Sequence, residues 1–217
     1  MKLQKEMIWR WLFYGIGLIV LAIGIILNTQ TGLGVSPIIS VPYSISKIWE
    51  LNFATMTFIV YSIQVGIQFI IKGKNREWKD VLQIPFSLVF SFFLNIFEKI
   101  FTFQFELLWQ KLILLLVAII VTGIGAAMTV NMKIVPNPAD GLAQAVGDAL
   151  HKGMGFGKNT IDFISVLITC GIGLIFAGQL VAIGLGTVCA MVGVGRSIAA
   201  FNYLFKSKMD KLAGLEK

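Results

Sequence analysis

The chain has 217 residues, 57% of them hydrophobic and 13% charged, with a mean hydropathy of +0.84. So few charges cannot cover the surface of a soluble fold, which excludes a water-soluble domain and indicates a membrane protein. The net charge of +7 does not restore a nucleic-acid partner, because the basic residues form short clusters between apolar runs, as topology determinants do.

Taken in order, Lys2, Lys5 and Arg10 precede an unbroken apolar run, Trp11 to Leu27. Its length is roughly one hydrocarbon thickness, and no small-residue cleavage site closes it, so it reads as an uncleaved first span. Residues 32–48 are interrupted by glycine and proline and are too broken for a regular span. Phe53 to Ile71 is a second span, ending in a basic run from Lys72 to Lys79. Val81 to Phe97 is a third, closed by Glu98-Lys99. The Phe-rich stretch from there to Trp109 reads as amphipathic and interfacial.

The second half repeats this order. Leu112 to Val130 is long and apolar, residues 136–150 are broken by Pro136, Pro138 and glycines, and Thr160 to Ala177 and Leu180 to Phe205 are long again. Gly24 with Gly125, Pro37 with Pro138, and Asn95 with Arg196 are each 101 residues apart. A repeated order of long, broken, long, long is an internal-repeat signature. The expected architecture is therefore an all-α integral membrane protein forming a single membrane domain over 1–217. About six transmembrane helices would form two inverted three-span repeats, 11–100 and 112–205, each carrying a broken re-entrant or short segment. Paired broken segments at corresponding positions are the sequence pointer to a binding site in a repeat-built transporter.

Orientation follows from lysine and arginine. If the broken segments do not cross, 14 basic residues, from Lys2 at one terminus to Lys217 at the other, fall on one side. Lys47, Lys99 and Lys111 fall on the other, and Arg196 lies inside a span. The positive-inside rule then puts both termini in the cytoplasm, and three spans per half require the halves to be inverted.

Few residues here can carry chemistry. Arg196 sits about two-thirds along the last span, where an unpaired, lipid-facing arginine costs about 2.5–3.5 kcal/mol. It either snorkels to the headgroups or pairs with Asp140 and Asp162, which this topology puts at similar depth. Asn137-Pro138 and Ser36-Pro37 each mark a helix start, whose free N–H groups suit a polar or anionic ligand group or are met by simple capping. Ser62, Thr160 and Asn95 are polar positions inside spans, read either as cavity lining or as helix–helix hydrogen bonds. Cys170 and Cys189 lie in apolar segments and His151 stands alone, so neither a disulfide nor a metal site is expected. No nucleophile–base or paired-carboxylate constellation argues for an enzyme, and no cofactor is expected.

The Gly-Leu-Gly-Val-Ser-Pro of residues 32–37, the Pro138-Ala-Asp140 and the Ile183-Gly-Leu-Gly-Thr187 followed by Gly195-Arg-Ser-Ile198 resemble the YczE/YitT-like group of small bacterial integral membrane proteins. Where that group commonly carries Pro-Trp-Asp, Ala139 here replaces the Trp, and Ile38-Ile39 replaces Trp-Asp in the first half. The resemblance implies a multi-pass protein of the bacterial plasma membrane, and transport as its activity. The leading expectation is a secondary carrier of a small polar or charged solute, with the bilayer and the solute as partners. Two alternatives stay open: a substrate-binding membrane subunit of an energised vitamin importer, working with an ATPase module, or a non-transporting membrane partner protein. A homo-oligomer is compatible with each.

Overall fold

The computed structural model describes residues 2–215; Lys217, one of the basic residues counted above, lies outside them. The described residues are all-helical, with eight α-helices: α1 (Lys2–Gln30), α2 (Pro37–Ile48), α3 (Phe53–Lys72), α4 (Trp78–Ile100), α5 (Leu108–Asn131), α6 (Pro138–Ala149), α7 (Gly153–Ile172) and α8 (Leu185–Leu212). Six of them are long and apolar enough to cross a membrane. The other two, α2 and α6, have 12 residues each. At 1.5 Å per residue each covers about 18 Å, well short of a hydrocarbon core of about 30 Å.

Both short helices start on proline, which needs no N–H partner at the first helical position. Asn137 caps α6 by accepting a hydrogen bond from the Ala139 N–H at 3.1 Å. Ser36 does not cap with its side chain; instead its own N–H donates to Asn28 Oδ1 at 3.0 Å, tying the start of α2 back to the end of α1. Glu77 and Asp80 form a reciprocal capping box at the start of α4.

The central contact is α1 against α5. Gly17, Leu21 and Gly24 meet Met128, Gly125 and Thr122 in that order, so the two helices run antiparallel. The backbones come close because neither crossing residue has a side chain: a Cβ on Gly24 would lie 2.5 Å from the Thr122 nitrogen, and one on Gly125 would collide with Leu21. Around this pair, α4 packs on α1 and α8 on α5. The short helices cross over, α2 packing on α7 as well as α3, and α6 on α3 as well as α7. The loops before α2 and α8 also meet: Val35 N–H donates to Ala182 O at 2.9 Å and Gly186 N–H to Leu33 O at 2.7 Å. Gly34 in this crossing has φ +101°, which favours glycine.

One inequality stands out between the halves. α3 and α4 pack along each other and are joined at both ends, by Asn52 Nδ2 donating to Asn95 Oδ1 at 3.2 Å and by the Lys72–Asp80 ion pair at 2.8 Å. α7 and α8 share no comparable interface. α1 is the most buried of the six long helices and α8 the least. The outer surface carries large apolar side chains on every long helix, as contact with a lipid bilayer requires.

Some boundaries differ from the sequence expectation. α7 starts at Gly153 rather than Thr160, because Gly153 and Gly157 press against Gly147 and Ala143 of α6 and this packing overrides glycine's poor helix propensity. The last helix starts at Leu185 rather than Leu180. A π-helical turn over Gly173–Ala177 and an irregular stretch precede it. Residues 101–106 are not helical; Phe101, Phe103 and Phe105 instead stack in succession at 5.7–5.8 Å between ring centroids.

Candidate functional site

A cavity of about 350 Å³ opens where α7 and α8 stand apart. Ser36 and Pro37 of α2, Asn137 and Asp140 at α6, and Tyr61 of α3 reach it from one side. Lys158, Asn159 and Asp162 line it from α7, and Met191, Gly195, Ile198 and Asn202 from α8. The starts of both short helices therefore face the same space, and residues from both halves of the chain enclose it. Its volume is at the lower end of small-molecule pockets, about 300–1,000 Å³.

The polar wall is built mainly on the α6–α7 hairpin. Lys158 Nζ lies 3.3 Å from Asp140 Oδ1, one of two side-chain ion pairs among the described residues. Lys158 and Asp162 are four residues apart on α7 and so share a face. Asp162 is only 7% exposed, and its Oδ1 is buried without a hydrogen-bond partner. Asn137 Nδ2 donates to the buried Tyr61 hydroxyl at 3.4 Å, which links α6 to α3. At the rim, Asn131 Nδ2 donates to Asn202 Oδ1 at 2.8 Å, joining α5 to α8. The residues that α1, α5 and α8 add to the lining are mostly apolar, among them Leu21, Ile25, Ala126, Val130 and Val194. No group of three histidine, cysteine or acidic side chains stands close enough to hold a metal among the described residues.

The structure gathers only part of the expected set. Asp140, Asp162, Asn137, Ser36 and Pro37 line the cavity, and Pro138 opens the helix that presents Asp140. Arg196 does not join the two aspartates. It is exposed and makes no ion pair among the described residues, and at 3.6 residues per turn it lies about 130° around α8 from the centre of the face formed by Met191, Gly195, Ile198 and Asn202. The cation that meets Asp140 is Lys158. Asn95 lies in a separate shallow groove between α3 and α4. Ser62 and Thr160 bond back to the Phe58 and Phe156 carbonyls of their own helices. Sequence reasoning missed Lys158, Tyr61, Asn131 and Asn202. Lys158 had a usable signal, its four-residue spacing from Asp162, but starting the span at Thr160 left it outside and hid that signal.

The sequence profile of a family of unknown function, DUF6198, matches residues 8–203. The chain belongs to this family. Similar proteins include the uncharacterized protein YyaS of Bacillus subtilis (strain 168), 25% identical over 199 residues, which cover 88% of this chain and 92% of YyaS. The uncharacterized membrane protein YczE of the same organism is 22% identical over 210 residues, covering 93% of each chain. The resemblance to YczE read from residues 32–37, 138–140 and 183–198 thus extends over most of the sequence. With its six apolar helices, this DUF6198 member is a multi-pass integral membrane protein. No solved structure matches it.

Proposed function

We propose that the protein is a secondary carrier for a small polar solute, bound in the α7–α8 cavity between two inverted repeats, α1–α4 and α5–α8. One observation carries the reading: the starts of both short helices line a single cavity between the halves. The helix directions support the inversion, since α1 and α5 run antiparallel and the short helix of each half packs on the third helix of the other. The charge count favours both termini in the cytoplasm, with the bacterial plasma membrane as location.

The inequality between the halves supplies a working cycle. In the present state α7 and α8 are apart and the cavity opens between them, whereas α3 and α4 are joined. Exchanging the two arrangements, with α7 closing on α8 and α3 parting from α4, would move access to the opposite side of the membrane. The charge-bearing polar wall stays on the α6–α7 hairpin throughout, so the solute keeps its contacts while the gates change.

The test is uptake by purified protein in liposomes, with no other protein present. Cys170 and Cys189 are first replaced by serine, and new cysteines are placed at Asn159 and Asn202 on opposite walls. Uptake is expected before cross-linking and lost after it. Uptake that persists with α7 cross-linked to α8 would overturn the proposed closure, and none in any state would overturn the carrier.

A further inference from the structure

We infer that the cavity is built for an organic cation, an amphipathic amine, with Asp162 as its counter-ion. This takes from the carrier reading only that the cavity receives a solute. The charged groups lining the cavity are two carboxylates, Asp140 and Asp162, and one ammonium, Lys158; α1, α2, α3, α5 and α8 contribute only neutral groups. The one ammonium and the start of α6 both meet Asp140. Lys158 pairs with it, and it sits in the first turn of α6, where its charge meets the positive end of that helix. Lys158 also acts on Asp162 through space, four residues along α7, but two carboxylates share this one ammonium and one negative charge is left over.

The hydrogen-bonding surroundings of Asp162 leave it unsatisfied. Oδ1 is buried and unpartnered, although Asn137, Asn159 and Tyr61 line the same space. An ionised carboxylate held this way is costly unless a cation or a proton reaches it. An anionic solute would find no ammonium but Lys158, already 3.3 Å from Asp140, and would add to an existing excess of negative charge, with only the start of α2 to meet it. Asp162 lines the cavity, so an amine nitrogen bound there supplies the missing charge and a hydrogen-bond donor to its carboxylate. Leu21, Ile25, Val130 and Val194 in the same lining suit a hydrocarbon body attached to that nitrogen.

The probes are phenethylamine, the neutral 2-phenylethanol and the anionic 3-phenylpropanoate, which share an aromatic body and differ in the charge of their end group. Each is titrated at millimolar concentration into the full chain in nanodiscs, with thermal unfolding as the readout. Phenethylamine is expected to raise Tm while the alcohol and the carboxylate do not. Asp162→Asn should weaken the amine response by about tenfold or more while the ligand-free protein remains folded. Asp162→Glu keeps the charge and should keep the preference for the amine, so the inference stays falsifiable if the asparagine variant is poorly folded. Equal responses to all three probes, a preference for the carboxylate, no response to the amine, or an unchanged amine response in Asp162→Asn would each overturn it. Amine binding without uptake into liposomes would instead overturn the carrier and leave the cation site standing, whereas uptake of an anion would do the reverse.

Discussion

Lys158 holds Asp140 from the next helix, and this contact fixes the mouth of the α6–α7 hairpin. Both partners are partly exposed, with side chains 35% and 18% accessible, so the pair is worth less than a fully buried one. Lys158→Met leaves two carboxylates facing each other across the cavity wall. It is expected to lower stability by about 1–2 kcal/mol, read by thermal unfolding, and to reduce uptake. Adding Asp140→Asn to that variant should recover most of the stability, because the stranded charge is gone. Arg196 makes a contrasting case at the same scale. It faces away from the cavity, so Arg196→Gln should leave uptake within about twofold of the parent. A sequence can show that Arg196 is costly in a membrane, but it cannot show which side of α8 meets α5, and the side decides the role. Asn137 and Asp140 were legible because they flank the helix-starting Pro138, whose local effect needs no tertiary information.

Among the elements, α1 and α5 depend on a glycine at each crossing point. Gly24→Ala puts a methyl group against the Thr122 backbone and is expected to cost about 1–3 kcal/mol, seen as a lower Tm. Gly15, on the same helix, has open space at its Cβ position, so Gly15→Ala should be neutral or stabilising by up to about 1 kcal/mol. Opposite outcomes from two glycines nine residues apart would identify backbone proximity, rather than helix propensity, as the controlling term. The long helices were legible from the lengths of their apolar runs. The start of α7 was not, since a Gly-Met-Gly-Phe-Gly run becomes helical only when α6 is there to pack on it. The start of α8 was misplaced for the converse reason: residues 178–184 are apolar in composition, but Gly178 and Ala182 take positive φ and break the helix.

At the scale of the molecule, the topology reading makes a direct prediction. With single cysteines at Asn75, Gln104 and Lys152, only Gln104 should react with an impermeant reagent added to intact cells. Labelling at Asn75 would mean that α2 crosses the membrane and that the halves are not inverted. Six spans could be counted from hydropathy and the basic clusters. The separation of α7 from α8 could not, because hydropathy assigns both helices to the membrane without saying whether they touch.

The exchange of short helices between the halves also has a consequence in time. Ser40 of α2 shares a buried 2.8 Å hydrogen bond with Thr169 of α7, a residue 129 positions later. At about 5–20 residues per second, synthesis reaches Thr169 roughly 6 to 26 s after Ser40. Until then α2, too short to span and with its proper neighbour not yet made, must wait beside α1 and α3. The first half of this protein is thus inserted as an unfinished object, and its assembly is completed only by the second.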